Sequence, residues 1–468
     1  MLGRGIARCW QFLKQEVLAL ALDRAGGTAV MLGVSIIPIG GLVGMAIDVT
    51  RGYMLRAQLS HALDAAGLAG GKQLFADDMD QIVQRFFDAN FPDGYMGAII
   101  TGPTATSDAF GTTLTLTAEA QVDTTFMRLL GHQNMTVSAS TVIERSIRGM
   151  ELVLVMDITG SMRSGGKIDA MKDAGKDLLG ILYAGRETVD DFWVGIVPYT
   201  TAVNIGPTRT GWLSGYDPAN FDPTTWKGCT EARGGTLDRD DTPPATAPFV
   251  PYNWPSDTDN DWPPVSETNQ SWAAGPNKTC GNEILPLNES YSAAWNRIDE
   301  LTYWRGGGTM GNVGLAWGWR LLSPQWRGLW GGATPVDMPF DYGKPLMDKV
   351  VVILTDGYNQ FCCSGTSAPG GSHYTAFGRL DWGRVGTTNW NDSRTELNNR
   401  LEEICTAMKA QGIILYTITF QVPDQTTKDV YGRCASGPTY AFDSPSNAEL
   451  QTVFRKIGDE LSNLRIKG

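Results

Sequence analysis

The chain has 468 residues, a formal charge of −12 and an isoelectric point near 4.8. This length allows two or three domains and a sizeable core, and the acidic balance excludes a nucleic-acid-binding protein, which needs a basic face. Only three histidines occur (His61, His132 and His373), and no two have the spacing of metal ligands. Zinc hydrolase chemistry is therefore disfavoured.

The predicted elements begin with a membrane span. Residues 25–47, AGGTAVMLGVSIIPIGGLVGMAI, contain no charged residue, and at about 1.5 Å per residue they cross a hydrocarbon core of about 30 Å. Basic residues in the leader 1–24 predict a cytoplasmic N-terminus, with the rest of the chain outside. The alternative is a cleaved signal peptide, but the leader is long and no small-x-small site is followed by sequence typical of a mature N-terminus. Instead, DVTRGYMLRAQLSHALDAAGLAGG continues as a helix. We therefore expect an uncleaved anchor in the lipid bilayer.

Region 48–149 predicts a helix followed by a small sheet. Apolar and small residues recur at helical spacing from Asp48 to about Leu74, so one long helix is expected to emerge from the bilayer. A shorter helix is predicted over Met79 to Ala89. Within 98–144, TTLTLTAEAQV and MTVSASTVIER alternate as strands do. This combination predicts a small α+β region, and an anchor helix followed by a small Thr-rich sheet resembles a pilin in its architecture.

From residue 150 apolar strands alternate with amphipathic helices. ELVLVMDI, FWVGIVPY, KVVVILTD and IILYTITF are predicted strands, and helical patterns separate them. This order predicts an α/β fold, a doubly wound and mainly parallel sheet covered on both faces. The order breaks at about 206–290, where a Pro-, Trp- and Asp-rich segment predicts a long loop insertion. Its tryptophans are expected to pack the insertion, with glycan or protein recognition as the alternative.

The cysteines divide between the two parts of the chain. Cys9 lies near the start, and six follow residue 228: Cys229, Cys280, Cys362, Cys363, Cys405 and Cys434. An even number favours disulfides made in an oxidising compartment over six buried thiols. We expect Cys229 to pair with Cys280, because both lie in sequence with little core to bury a thiol. The Cys362–Cys363 doublet is expected to pair with Cys405 and Cys434, since a bond between adjacent cysteines strains the peptide between them.

Oxygen-bearing side chains follow two of the strands and precede one helix. Asp157, Thr159 and Ser161 end the first strand, Asp356 follows KVVVILT, and Thr309 lies in GGGTMG before a helix. Because the carboxyl ends of parallel strands share one edge of a sheet, we expect these side chains to converge. Two carboxylates and three hydroxyls suit a hard cation, Mg²⁺ or Mn²⁺. The alternative is that the hydroxyls only cap helices.

These residues resemble the von Willebrand factor A domain and its metal-ion-dependent adhesion site. Asp157 and Ser161 match the family pattern Asp-x-Ser-x-Ser, with Thr159 in place of the first Ser. Thr309 and Asp356 match its distant Thr and Asp. The resemblance covers about 150–465 without the insertion. It implies a Rossmann-like fold, binding rather than catalysis, and a cation with one position open to an acidic side chain of a partner protein.

The N-terminal part carries a second resemblance. DRAGGTAVMLGV and GLVGMAIDVTRGYMLRAQLSHALDAAGLAGG are similar to the N-terminal segment of TadG-like proteins of tight-adherence (Flp) pilus systems, in which an anchor precedes a von Willebrand A domain. This resemblance implies a bacterial inner-membrane protein whose C-terminal domain is periplasmic. It also implies a role in pilus assembly or adhesion, with pilus components as partners.

The sequence therefore predicts four parts: leader 1–24, transmembrane helix 25–47, TadE/TadG-like region 48–149 and von Willebrand factor A domain 150–468. The leading hypothesis is a membrane-anchored, non-enzymatic adhesion or pilus-assembly protein. One alternative is a metal-dependent periplasmic hydrolase, which the scarcity of histidine disfavours. The other is a structural anchor with a degenerate metal site. Lys167 is expected on a solvated helix face, because GSMRSGGKID lacks the spacing of a phosphate loop.

Overall fold

The computed structural model describes residues 24–71, 79–107, 113–144, 148–363 and 368–466. The chain divides into two compact units, Met1–Ser146 and Ile147–Gly468. Each unit has hydrophobic core clusters of its own. Apart from Arg24, the predicted cytoplasmic leader lies outside the described residues.

The apolar stretch and the helical sequence after it form one continuous helix, α1 (Arg24–Gly71), which Pro38 does not end. Near its start the apolar side chains are exposed, as at Met31, whereas Leu55 and Leu59 are fully buried. By length and composition alone, the helix from Met31 onward is long and apolar enough to cross a membrane. Along its length, this one helix thus passes from exposed apolar side chains to side chains buried in a protein core.

The rest of the first unit is a helix and an antiparallel sheet: α2 (Met79–Asn90), β1 (Ile99–Ser107), β2 (Thr113–Asp123) and β3 (Asn134–Glu144). The sheet has the order β1-β2-β3, and α1 packs against β2 and β3. Alternate side chains of β2, such as Leu114 and Leu116, are buried in the core below α1. This period of two is the alternation that predicts the strand in TTLTLTAEAQV.

The described residues of the second unit form ten strands, in chain order β4 (Gly149–Asp157), β5 (Phe192–Tyr199), β6 (Val203–Asn204), β7 (Cys229–Thr230), β8 (Leu285–Asn288), β9 (Gly308–Thr309), β10 (Met347–Thr355), β11 (Gln360–Phe361), β12 (Ile414–Phe420) and β13 (Ala441–Ser444). Six of them form one sheet in the order β13-β12-β10-β4-β5-β8. All neighbours in this sheet are parallel except β5 and β8. The short strands pair separately, β6 with β7 and β9 with β11.

Helices cover both faces of this sheet: α3 (Lys167–Tyr183), α4 (Tyr291–Asp299), α5 (Gly311–Leu322), α6 (Trp390–Ala410), α7 (Gln425–Cys434) and α8 (Asn447–Ile466). Leu152 and Leu154 of β4 enter the core formed with α3 and α8, and Val153 and Val155 enter the core formed with α5 and α6. Burial on both faces explains the unbroken apolar run. The predicted α/β class and the apolar N-terminal helix are confirmed, whereas β8, α7 and β13 were not predicted.

The insertion at about 206–290 has little regular structure and is nevertheless packed. Trp226, Trp254 and Phe249 are buried in the same core as α5. Trp272 remains 73% exposed. Most of these aromatic side chains therefore hold the insertion together.

One cysteine pair is as expected. Cys229 and Cys280 form a disulfide with their Cα atoms 5.7 Å apart. The stated reason for this pairing was wrong, because both side chains are buried. The aromatic side chains of the insertion supply the core that the sequence appeared to lack.

The prediction for the other four cysteines was wrong. Cys405 bonds to Cys434, and Cys362 bonds to its neighbour Cys363. Cys405 on α6 and Cys434 on α7 lie on two packed helices with their Cα atoms 5.1 Å apart, within the range of a disulfide. The doublet instead follows β11 at the carboxyl edge of the sheet.

Candidate functional site

Asp157 is the last residue of β4, and its carboxylate is fully buried. Oδ1 accepts hydrogen bonds from the Thr159 N–H at 2.8 Å and from the Thr159 hydroxyl at 2.6 Å. Oδ2 accepts from the hydroxyls of Tyr199 at 3.2 Å and Thr355 at 3.0 Å. Within the part of the chain that the structure describes, no Lys or Arg forms an ion pair with this carboxylate.

The surroundings of Asp157 make its charged form unfavourable. Burial raises the pKa of Asp157 to about 7, and the negative charge of Asp356 adds to the increase. The hydrogen bonds from Thr159 and Thr355 act in the opposite direction. Neutral donors thus compensate the negative charge only in part.

A chain of hydrogen bonds connects Asp157 to Asp356. The Thr159 hydroxyl lies 3.0 Å from the Ser161 hydroxyl, which donates to Asp356 Oδ1 at 2.5 Å. Asp356 follows β10, the parallel neighbour of β4, so both carboxylates lie at the carboxyl edge of the sheet. Asp157, Thr159, Ser161 and Asp356 are called the oxygen cluster below. They are four of the five side chains that the sequence predicts to converge.

The segment before Thr309 is held against the same sheet edge by its main chain. The Trp304 N–H donates to the Ile158 carbonyl at 2.7 Å, and the Met310 N–H donates to the Thr200 carbonyl at 3.1 Å. Ile158 and Thr200 each directly follow a strand of the sheet. The segment therefore bridges the ends of β4 and β5.

Thr309 faces the oxygen cluster across a cavity of about 350 Å³ that Thr159 and Ser161 also line. Gly308 has φ of +121°, and a Cβ there would collide with the main chain of Gln360, so this passage requires glycine. Among the described residues, the Thr309 hydroxyl donates no hydrogen bond to the oxygen cluster. The fifth predicted side chain thus lines the same cavity without a hydrogen bond to the other four.

Lys167, at the start of α3, contacts the oxygen cluster. Its side chain is 14% exposed, and Nζ lies 3.0 Å from Asp356 Oδ2. The predicted solvated position was therefore wrong. Gly165 and Gly166 both have φ of +68°, and this left-handed turn starts the helix beside the strand ends. Only the glycine pair before Lys167 could have signalled this contact.

Tyr199 and Thr355 are two further site residues that the sequence reasoning missed. Each ends a strand adjacent to β4 and donates to Asp157. The Thr before Asp356 in ILTDG is the signal that could have identified Thr355. Nothing in the local sequence distinguishes Tyr199 from a core tyrosine, because its role follows from strand pairing.

Cationic side chains surround the opening of the cavity. Arg163, Lys278 and Arg305 all line it. Lys278 donates to the Asp259 carbonyl and lies 4.7 Å from the centre of the Trp254 ring. Arg163 and Arg305 form no ion pair or side-chain hydrogen bond with any residue in the described ranges. In a chain with a net charge of −12, this opening is a local concentration of positive charge.

The N-terminal part of the chain matches a known family. Residues 26–73 match the family described as Flp pilus-assembly TadE/G-like. The match covers the apolar span from residue 26 onward and the helical sequence that continues from it, and no more of the chain. No curated protein matches the sequence.

Several solved structures are similar at low identity. The pilus adhesin SpaC from Lactobacillus rhamnosus GG is 11% identical with a TM-score of 0.36, over 80% of this chain and 35% of SpaC. The vWF domain of the type V pili tip protein Mfa5 from Porphyromonas gingivalis is 9% identical with a TM-score of 0.36, over 69% of this chain and 97% of that domain. The adhesive tip pilin GBS104 from Group B Streptococcus agalactiae is 10% identical with a TM-score of 0.38, over 78% of this chain and 68% of GBS104. The chain thus spans about a third of the length of SpaC.

Proposed function

We propose that this chain is a membrane-anchored, non-enzymatic protein of pilus assembly or adhesion. The TadE/G-like match at residues 26–73 and the apolar helix α1 support the pilus context and the anchor. In this proposal the chain crosses a bacterial inner membrane once, with its N-terminus in the cytoplasm and Ile147–Gly468 in the periplasm. The disulfides of the second unit support an oxidising compartment for that part.

The second unit is proposed to be a doubly wound von Willebrand factor A domain with a metal-ion-dependent adhesion site. Asp157, Thr159, Ser161, Thr309 and Asp356 would hold one Mg²⁺ or Mn²⁺ ion. The observation that carries this proposal is the fully buried Asp157 carboxylate, which only neutral groups contact. A divalent cation would supply the missing positive charge, and a donor set made only of oxygen suits a hard ion.

The proposed partner is a protein that presents an acidic side chain, in the simplest case a pilus component. The bound cation would act as a Lewis acid that accepts the partner's carboxylate. The guanidinium groups of Arg163 and Arg305, which form no ion pair with another described side chain, would attract the same acidic surface before contact. Both arginines lie at the opening from which the partner would approach.

A second candidate function, a structural anchor with a degenerate site, is favoured by one specific observation. Lys167 forms an ion pair with Asp356 at 3.0 Å, and hydroxyl groups satisfy the remaining oxygens of the cluster. These contacts are complete within the protein and need no metal. Metal titration distinguishes the two functions.

The test is titration of the full-length chain in detergent micelles with Mg²⁺ and Mn²⁺, followed by calorimetry and thermal unfolding. We expect saturable binding of one ion, with loss of binding in Asp157→Ala. Asp173→Ala is the matched control, because Asp173 is exposed on α3 and the substitution removes the same charge. Undiminished binding by folded Asp157→Ala, or no binding by the folded and oxidised parent, would favour the structural anchor.

The partner is tested in the host strain. Asp157→Ala at normal protein level is expected to abolish surface attachment. The double variant Arg163→Ala/Arg305→Ala is expected to weaken attachment and reduce its salt dependence while Mg²⁺ binding is unchanged. Full attachment by Asp157→Ala would contradict the adhesive role.

A further inference from the structure

A second group of potential metal ligands lies beside the same cavity. The Sγ atoms of Cys362 and Cys363 and a ring nitrogen of His373 all lie within 4.8 Å of one another. These three side chains, called the sulfur cluster below, also line the cavity that Thr159 and Ser161 border. None of them belongs to the site proposed above.

Main-chain hydrogen bonds fix the sulfur cluster in place. The Cys362 N–H donates to the Gly307 carbonyl at 2.9 Å, and the His373 N–H donates to the Cys362 carbonyl at 3.1 Å. The two parts of the chain that supply sulfur and nitrogen are therefore bonded to each other. Gly307 directly precedes β9, which contains Thr309. The hydrogen bond to Gly307 therefore connects the sulfur cluster to the strand that borders the oxygen cluster.

The surroundings of His373 are those of a metal-binding imidazole. Its ring packs 5.5 Å from the Trp254 ring, centre to centre, and Nε2 lies 3.8 Å from Asp259 Oδ2. Nδ1 accepts a hydrogen bond from the Gly307 N–H at 3.4 Å, which a metal ion bound at Nδ1 would displace. A carboxylate near the nitrogen that does not bind the metal orients many histidine ligands.

The chemistry of the sulfur cluster differs from that of the oxygen cluster. Two thiolates and one imidazole prefer Zn²⁺ or Cu⁺ to Mg²⁺. Sulfur is a ligand only as a thiolate, and the structure has Cys362 and Cys363 joined as a disulfide. A dithiol reductant would transfer two electrons and two protons to this disulfide, giving two thiols and the disulfide of the reductant. Metal binding would then release the thiol protons.

We propose that Cys362, Cys363 and His373 form a second metal site, for Zn²⁺ or Cu⁺, that exists only while the vicinal cysteines are reduced. Oxidation to the disulfide removes two of its three ligands. The oxygen and sulfur clusters would then take different ions at one cavity. This inference does not depend on cation binding by the oxygen cluster.

The test uses the full-length chain with Cys9→Ser, in detergent micelles, so that every thiol comes from a disulfide. A mild dithiol is expected to reduce the exposed Cys362–Cys363 pair before the two disulfides that are buried in the core. Alkylation and peptide mass identify the reduced pair. After anaerobic removal of the dithiol, Co²⁺ is expected to bind once per chain with a thiolate-to-metal charge-transfer band, and Zn²⁺ to displace it. The disulfide form should give no charge-transfer band with Co²⁺, whatever the oxygen cluster binds.

Three variants decide the assignment. Cys363→Ser and His373→Gln are expected to weaken Zn²⁺ binding by about tenfold or more, whereas Asp157→Ala should retain it. If His373→Gln does not fold, Zn²⁺ binding by Cys363→Ser and the charge-transfer band of the parent test the assignment of the ligands. The proposal is overturned if the verified dithiol form binds no metal, or if folded ligand variants bind as tightly as the parent. A pair that cannot be reduced without unfolding the chain would overturn it as well.

Discussion

Two regions of the second unit bury carboxylates in opposite ways. In the insertion, Asp238 is 5% exposed and contacts two guanidinium groups, with Arg400 Nε at 2.9 Å and Arg239 Nε at 3.2 Å. At the end of β4, Asp157 is 0% exposed and accepts hydrogen bonds from neutral donors only. The comparison teaches that burial alone does not mark a cation site. The informative feature is a buried carboxylate for which the fold provides no positive charge.

The largest expected effect is on the paired carboxylate. Asp238→Asn removes the negative charge that faces Arg400, a side chain of which 9% is exposed. Breaking a buried ion pair from one side typically lowers the free energy of unfolding by about 3 to 5 kcal/mol. Denaturant unfolding measures this loss, and Mg²⁺ titration of the folded variant should be unchanged.

Asp261→Asn serves as the control for that variant. Asp261 is exposed in the same insertion. The free energy of unfolding of Asp261→Asn should therefore stay within about 0.5 kcal/mol of the parent value. An equal loss in both variants would show that the ion pair is not the cause.

An effect of comparable size is expected from pH in the metal-free chain. The folded-state pKa of Asp157, about 7, lies above the value of about 3.9 for an unfolded Asp. This group therefore contributes stability that is fully present below about pH 4 and is lost as the pH rises through about 7. Thermal unfolding in a chelator should show the loss, and Mg²⁺ should reverse it at alkaline pH.

Asp157→Asn isolates this contribution from other titrating groups. Its amide can donate to the hydroxyl oxygens of Tyr199 and Thr355, which now donate to Oδ2. The stability of Asp157→Asn relative to the parent should therefore rise between about pH 5 and about pH 8. Parallel pH profiles of parent and variant would contradict the raised pKa.

The smallest effect is expected at the one position that departs from the family pattern. Thr159→Ser keeps the hydroxyl that bonds Asp157 and Ser161 and removes only a buried methyl group, which costs about 1 kcal/mol of stability. Mg²⁺ affinity should hardly change in calorimetry. Thr159→Val, which keeps the shape and removes the hydroxyl, should weaken binding clearly. A loss in Thr159→Ser as large as that in Thr159→Val would mean that packing, not oxygen, matters here.

The sequence predicts those features that depend on one strand or on neighbouring strands. The apolar run in β4 predicts a central strand, and the positions of Asp157 and Asp356 after parallel strands predict their convergence. Lys167 was missed because its position depends on two glycines in left-handed conformation. Helix α7 was missed because only four of its ten side chains are buried: Thr427, Val430, Tyr431 and Cys434. Without α7, the pairing of Cys405 with Cys434 could not be derived.

Helix α1 has a mechanical consequence. It has 48 residues, which correspond to a length of about 72 Å at about 1.5 Å per residue. The helix continues past Pro38 into the part that packs against β2 and β3. No flexible linker separates the apolar part from the part that carries the sheet. In the proposed membrane-anchored state, a pulling force on the first unit would therefore reach the bilayer along a stiff, hydrogen-bonded rod. Such a load would tilt or extract the apolar part before any slack in the chain could absorb it.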